Sequence, residues 1–167
     1  MQPGPGQQPT TTEGIMRVGP ILVGTMMMGQ VMFAAMVGSG VVSAGSQPSL
    51  KLDATVLAFF ALVGVGGVAG FFGLGAAWHG AAAKAWAQRS DEKDGELRVA
   101  RALFVSTLVR AALLEGPGLL GAVLALLTGE RALLGLTAVC VLLLIMLVRT
   151  RSIFDATMAR LTGRSTF

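Results

Sequence analysis

Four long apolar runs constrain this chain more than anything else in it. Residues 18–42 and 54–78 carry no charged side chain, 102–128 carries only Arg110 and Glu115, and 132–148 is short and rich in leucine. Each run reaches or approaches the roughly 20 residues that a helix needs to cross a bilayer. Lipid cannot satisfy an open backbone, so each run must be helical if it crosses. The expected fold is therefore an all-α integral membrane bundle of four transmembrane helices. Composition agrees: charged residues make up 13% of the 167, against about 25% in an ordinary soluble domain. That balance excludes a soluble enzyme, a disordered protein and a collagen-like chain.

The segments outside the runs are short. Residues 1–16 are rich in Pro, Gly, Gln and Thr and read as a disordered arm that cannot bury a core. The transmembrane domain is then 17–148, and 149–167 forms a tail. In that tail Phe154, Met158 and Leu161 share one helical face, and Ser152 and Asp155 have capping-box spacing. The tail is expected to be a short amphipathic helix lying on the membrane surface. Val42-Ser43-Ala44 resembles a cleavage site, but the run before it is about twice the length of a signal core and only Arg17 precedes it. The first run is accordingly expected to be a true span. Ala81–Gln88 favours helix, so the second and third helices should extend beyond the membrane toward a turn at Ser90–Gly95, with Glu96 restarting the helix. Trp78 and Trp86 are expected in the interfacial belt.

The basic residues orient the bundle. Arg17, Lys84, Arg89, Lys93, Arg98, Arg101, Arg149, Arg151, Arg160 and Arg164 fall at one end, and only Lys51 and Arg131 at the other. The positive-inside rule places both termini and the long connection in the cytoplasm, as in a bacterial-type inner membrane. These cations sit beside apolar runs and lack interleaved aromatics, so the expected partner is the lipid bilayer and not nucleic acid. Further copies of the chain or other membrane subunits are the expected protein partners.

Little in the sequence offers chemistry. The single Cys excludes a disulfide framework, and one His with no Tyr leaves few metal ligands or bases. No phosphate loop, nucleophile triad or metal cluster is present, so no enzymatic activity, cofactor or metal is expected. Met26, Met27, Met28, Met32 and Met36 read as adaptable packing rather than a copper site. Thr25 and Gln30 are candidates for interhelical hydrogen bonds, His79 is expected at the interface, and Cys140 in the core.

Glu115 stands out. A carboxylate at mid-span is expensive and often marks an ion pathway. Ala111, Gly118, Ala122 and Ala125 fall on its helical face, and such small residues let a second backbone approach. Pro117 cannot donate to the Leu113 carbonyl and leaves an acceptor free one turn away. In the second run Gly66, Gly70, Gly73 and Ala77 repeat at helical spacing and are expected to form the packing groove. Arg110 is a candidate charge partner, although it lies about 140° around the helix and about 7.5 Å along it from Glu115. It could equally snorkel toward the headgroups.

Gly64-Val-Gly-Gly-Val-Ala-Gly-Phe-Phe-Gly-Leu-Gly75, then Gly80-Ala-Ala-Ala, a polar loop, and Leu114-Glu-Gly-Pro-Gly-Leu-Leu-Gly-Ala-Val-Leu-Ala-Leu126 together resemble a subunit c hairpin of ATP synthase. The resemblance covers about residues 60–128, and extra spans flank it. It implies that Glu115 binds a transported proton or sodium ion and that hairpins assemble into a ring. The alternative from the residues alone is a non-transporting accessory or scaffold subunit in which Glu115 and Arg110 are structural.

Overall fold

The computed structural model describes residues 11–42 and 53–163. Helix α1 spans Thr12–Gly38, α2 Ala54–Ala87, α3 Glu92–Thr128, α4 Leu134–Val148 and α5 Thr150–Thr162; a 3-10 turn, Arg131–Leu133, leads into α4. No strand occurs among the described residues. Four helices, counting α4 with its 3-10 turn, are long and apolar enough to cross a membrane, which is the architecture of an integral membrane protein. Their outward surfaces agree, because large apolar side chains such as Ile21, Leu62 and Leu142 are more than 60% exposed. Water does not tolerate a continuous belt of this kind.

Local chemistry sets the helix ends. The Thr11 hydroxyl accepts from the Gly14 N–H at 3.2 Å, which starts α1 at Thr12. Part of the arm expected over 1–16 is thus helical, with Ile15 and Met16 buried; residues 1–10 lie outside the described residues. Helix α1 ends at Gly38 rather than Val42. Residues 43 and 44 of the cleavage-like sequence, together with Lys51 and Arg164, also fall outside. The Asp53 carboxylate caps α2 through the Val56 N–H at 2.9 Å. Helix α3 closes on Gly129, whose φ of 74° is the left-handed conformation open to glycine.

The α2–α3 turn is tighter than expected, and α3 begins at Glu92 rather than Glu96. The reason is a local network. Asp91 accepts from the Asp94 N–H at 2.6 Å, and Asp94 accepts from the Ser90 N–H at 3.0 Å and from Arg98 at 2.7 Å. These donors hold the Asp94 carboxyl below its ordinary range, the Ser90 N–H contributing most. Helices of 34 and 37 residues measure about 51 and 55 Å, so this hairpin projects well past a hydrocarbon core of about 30 Å.

Helix α3 is central and packs against α1, α2 and α4. At the basic end Ile15, Met16, Trp78, Ala82, Val99 and Leu103 form one cluster, and Ile153, Phe154, Met158 and Leu161 of α5 pack against it. The apolar face of α5 therefore covers the bundle rather than lying free on lipid. Ser152 and Asp155 sit inside α5 and do not cap it, since the helix starts at Thr150 with no side-chain cap. Trp78 is 4% exposed and belongs to this cluster, not to an outward belt. Trp86 lies beneath the Arg89 guanidinium, 4.3 Å from its ring centre.

Candidate functional site

The site is built where four helices meet around Pro117. Helix α3 turns Ala111, Leu114, Pro117, Gly118, Gly121 and Ala122 inward and leaves Ala112, Gly116 and Val123 exposed. Glu115 falls between these two sectors and is half-buried. Among the described residues it has no hydrogen bond and no ion pair; the ion pairs there are Arg17–Glu13 and Arg98–Asp94, both within single helices near the basic end.

Arg110 is engaged elsewhere. Its Nε donates to the Phe71 carbonyl at 3.0 Å, and its guanidinium lies 4.1 Å from the centre of the Phe71 ring. A methyl at Gly75 would sit 3.0 Å from Arg110 Nη2, so the absent side chain at 75 makes room for the cation. Helix phase explains the separation. The 140° between positions 110 and 115 points Arg110 at α2 and Glu115 away from it. The structure does not bring the two charges together.

The carbonyl freed by Pro117 is covered by α2. A methyl at Gly67 would lie 2.8 Å from the Leu113 oxygen and 2.6 Å from Pro117 Cγ. The backbones therefore meet with no side chain between them, a geometry suited to a weak Cα–H···O contact. Gly70 also faces α3, where an added methyl would be 3.1 Å from Leu113 Cδ1. Gly66 and Gly73, expected in the same groove, have nothing within 4 Å of such a methyl and face outward. The true packing face of α2 runs Gly64, Gly67, Phe71, Gly75, Trp78, one residue out of phase with the expected stripe for most of its length.

Two polar ties went unread or only half-read in the sequence. Gln30 is 1% exposed, and its Nε2 donates to the Leu114 carbonyl at 3.3 Å; its Oε1 is buried without a partner. The amide rests against Gly118, where a methyl would be 2.6 Å from Oε1. Thr137 of α4 donates to the Gly118 carbonyl at 2.6 Å. Its signal was a lone hydroxyl in a leucine-rich span, too common to single out. Ala111 and Ala122 are fully buried on the same side of α3.

No family model, curated protein or solved structure matches this chain.

The remaining candidates are dispersed. Met28, Met32 and Met36 are exposed, while Met26 and Met27 pack against the Val23–Phe71–Leu114 cluster. The Thr25 hydroxyl bonds within its own helix to the Leu22 carbonyl instead of crossing to a neighbour. His79 is exposed and Cys140 buried. Among the described residues no three His, Cys, Asp or Glu side chains gather as metal ligands.

Proposed function

We propose that this chain is a small ion-coupling membrane protein, resembling a subunit c hairpin, that takes up and releases a proton or a sodium ion on Glu115. One observation carries the reading: Glu115 has no partner among the described residues, while Arg110, the cation that could neutralise it, is held by Phe71 on another helix. A mid-span carboxyl without a fixed counter-ion is free to exchange its ion. Its position beside exposed Ala112 and Gly116 leaves a route to it from outside the bundle. Gly67, Gly70 and Pro117 fix the α2–α3 approach that presents it. The distribution of Lys and Arg supports both termini in the cytoplasm and a bacterial-type inner membrane.

The test is carbodiimide labelling in membranes, read by intact mass across a pH series. Carbodiimides attack protonated carboxyls in apolar surroundings, so the expected result is one adduct on Glu115 that fades as pH rises. Glu115→Gln should abolish both the adduct and ion flux after reconstitution, while leaving assembly intact. Absence of labelling at every pH overturns the proposal.

A second reading, a non-transporting accessory or scaffold subunit, draws on the outward small face of α2. Gly66, Ala69, Gly73, Ala76 and Gly80 are all exposed at helical spacing, and close approach to a neighbouring helix needs such a face. It predicts that Glu115→Gln lowers recovery of partner subunits with no flux to lose.

A further inference from the structure

A groove of about 470 Å³ opens sideways between α2 and α3 at the basic end. Leu74, Ala77, Trp78 and Ala81 form one wall, and Arg101 and Val105 stand on the other. It shares no residue with the contacts around Pro117, and Glu115 is not among its lining residues. We propose that it is a binding site for one anionic phospholipid, with an acyl chain along the groove and the phosphate on Arg101.

Two features of the groove support that occupant over a generic lipid contact. First, its charge is uncompensated. Arg101 is exposed and has no acidic partner among the described residues. Arg98, one turn further out, is tied to Asp94, and Lys84, one turn beyond Ala81, is exposed and likewise without an acidic partner. Basic pockets between membrane helices attract anionic headgroups. Second, its length is that of one leaflet. From Arg101 to Val109, which also lines it, the helix rises about 12 Å, close to half a hydrocarbon core of about 30 Å. The α2–α4 groove at Phe60, Ala61, Val65 and Leu136 has a similar volume, about 390 Å³, but no cation on its wall. It serves as the internal control.

The experiment is native mass spectrometry of the full chain in detergent, supplied with equal phosphatidylglycerol and phosphatidylcholine. One phosphatidylglycerol should be retained in preference. Arg101→Gln should weaken that retention about fivefold, the factor expected for one basic side chain near an anionic surface. Ala81→Phe and, independently, Ala77→Phe should remove it by filling the groove; both positions are exposed, so neither disturbs the core. Ala61→Phe in the other groove should change nothing. Equal retention of the two lipids, or insensitivity to all three groove variants, overturns the proposal. Displacement by soluble glycerol phosphate also overturns it, because a headgroup-only site would need no groove.

Discussion

Around Pro117 the helices meet through Gly67, Gly118 and Gly121, with carbonyl oxygens and short polar side chains filling what little space remains. At the basic end they meet through Ile15, Trp78, Leu103, Phe154 and Met158. The first region is defined by atoms that are absent and the second by bulk. In lipid, apolar side chains gain little from leaving their surroundings, so close backbone approach and interhelical hydrogen bonds carry association. At the basic end, toward the headgroups and water, side-chain burial adds to that packing. One chain thus uses two packing regimes, one around Pro117 and one at the basic end.

That contrast can be broken from either side. Gly67→Ala should be the most damaging change, about 3 kcal/mol, because the added methyl meets a backbone oxygen and a proline ring, neither of which can yield. Reversible unfolding in mixed detergent measures it; a loss below about 1 kcal/mol would mean that α2 and α3 are not so close. Leu103→Ala, in the layer of bulk, should cost about 2 kcal/mol by leaving a cavity, and the same assay reads it. Gln30→Leu should fall within about 1 kcal/mol of the parent. It removes one interhelical hydrogen bond worth about 0.6 kcal/mol but also an acceptor that is buried unpaired. Gly66→Ala should leave the isolated chain as stable as before or slightly more so, since nothing lies near the new methyl and alanine favours helix by up to about 1 kcal/mol. Crosslinked oligomer yield falling in Gly66→Ala would assign that face to a neighbour.

The smallest effect concerns the turn at the tip of the hairpin. The folded turn lowers the Asp94 carboxyl below its ordinary value. Its stabilising contribution is therefore complete above the ordinary carboxylate range and is lost as pH falls through the lowered value. The protection of the Ser90 amide against exchange, relative to a free amide at the same pH, should fall only under such acid conditions, and Asp94→Asn should remove that fall.

The four spans and the helical extension through Ala87 were legible because length and charge decide them. The phase of α2 was not. Both its lipid side and its protein side are apolar, so hydropathy does not distinguish Gly66 from Gly67; only the position of Pro117 on a neighbouring helix does. Gln30 was legible as a polar residue in an apolar run, but its acceptor, the Leu114 carbonyl, belongs to the backbone and has no side-chain signature. The face of α5 was visible in the spacing of Phe154, Met158 and Leu161, yet the same spacing suits lipid or protein. What decided between them was a buried partner surface assembled from three other helices.

The docking of α5 has a temporal side. A ribosome delivers this chain from its N-terminus, so α1, α2 and α3 are in place before residues 150–162 exist. Until then Trp78, Val99 and Leu103 lack their cover. The segment that follows α4 is thus the one that seals the layer, and a chain lacking α5 would leave an apolar patch at the mouth of the bundle. Quality-control proteases that read exposed apolar surface would then have a means of recognising a chain in which α5 has not docked.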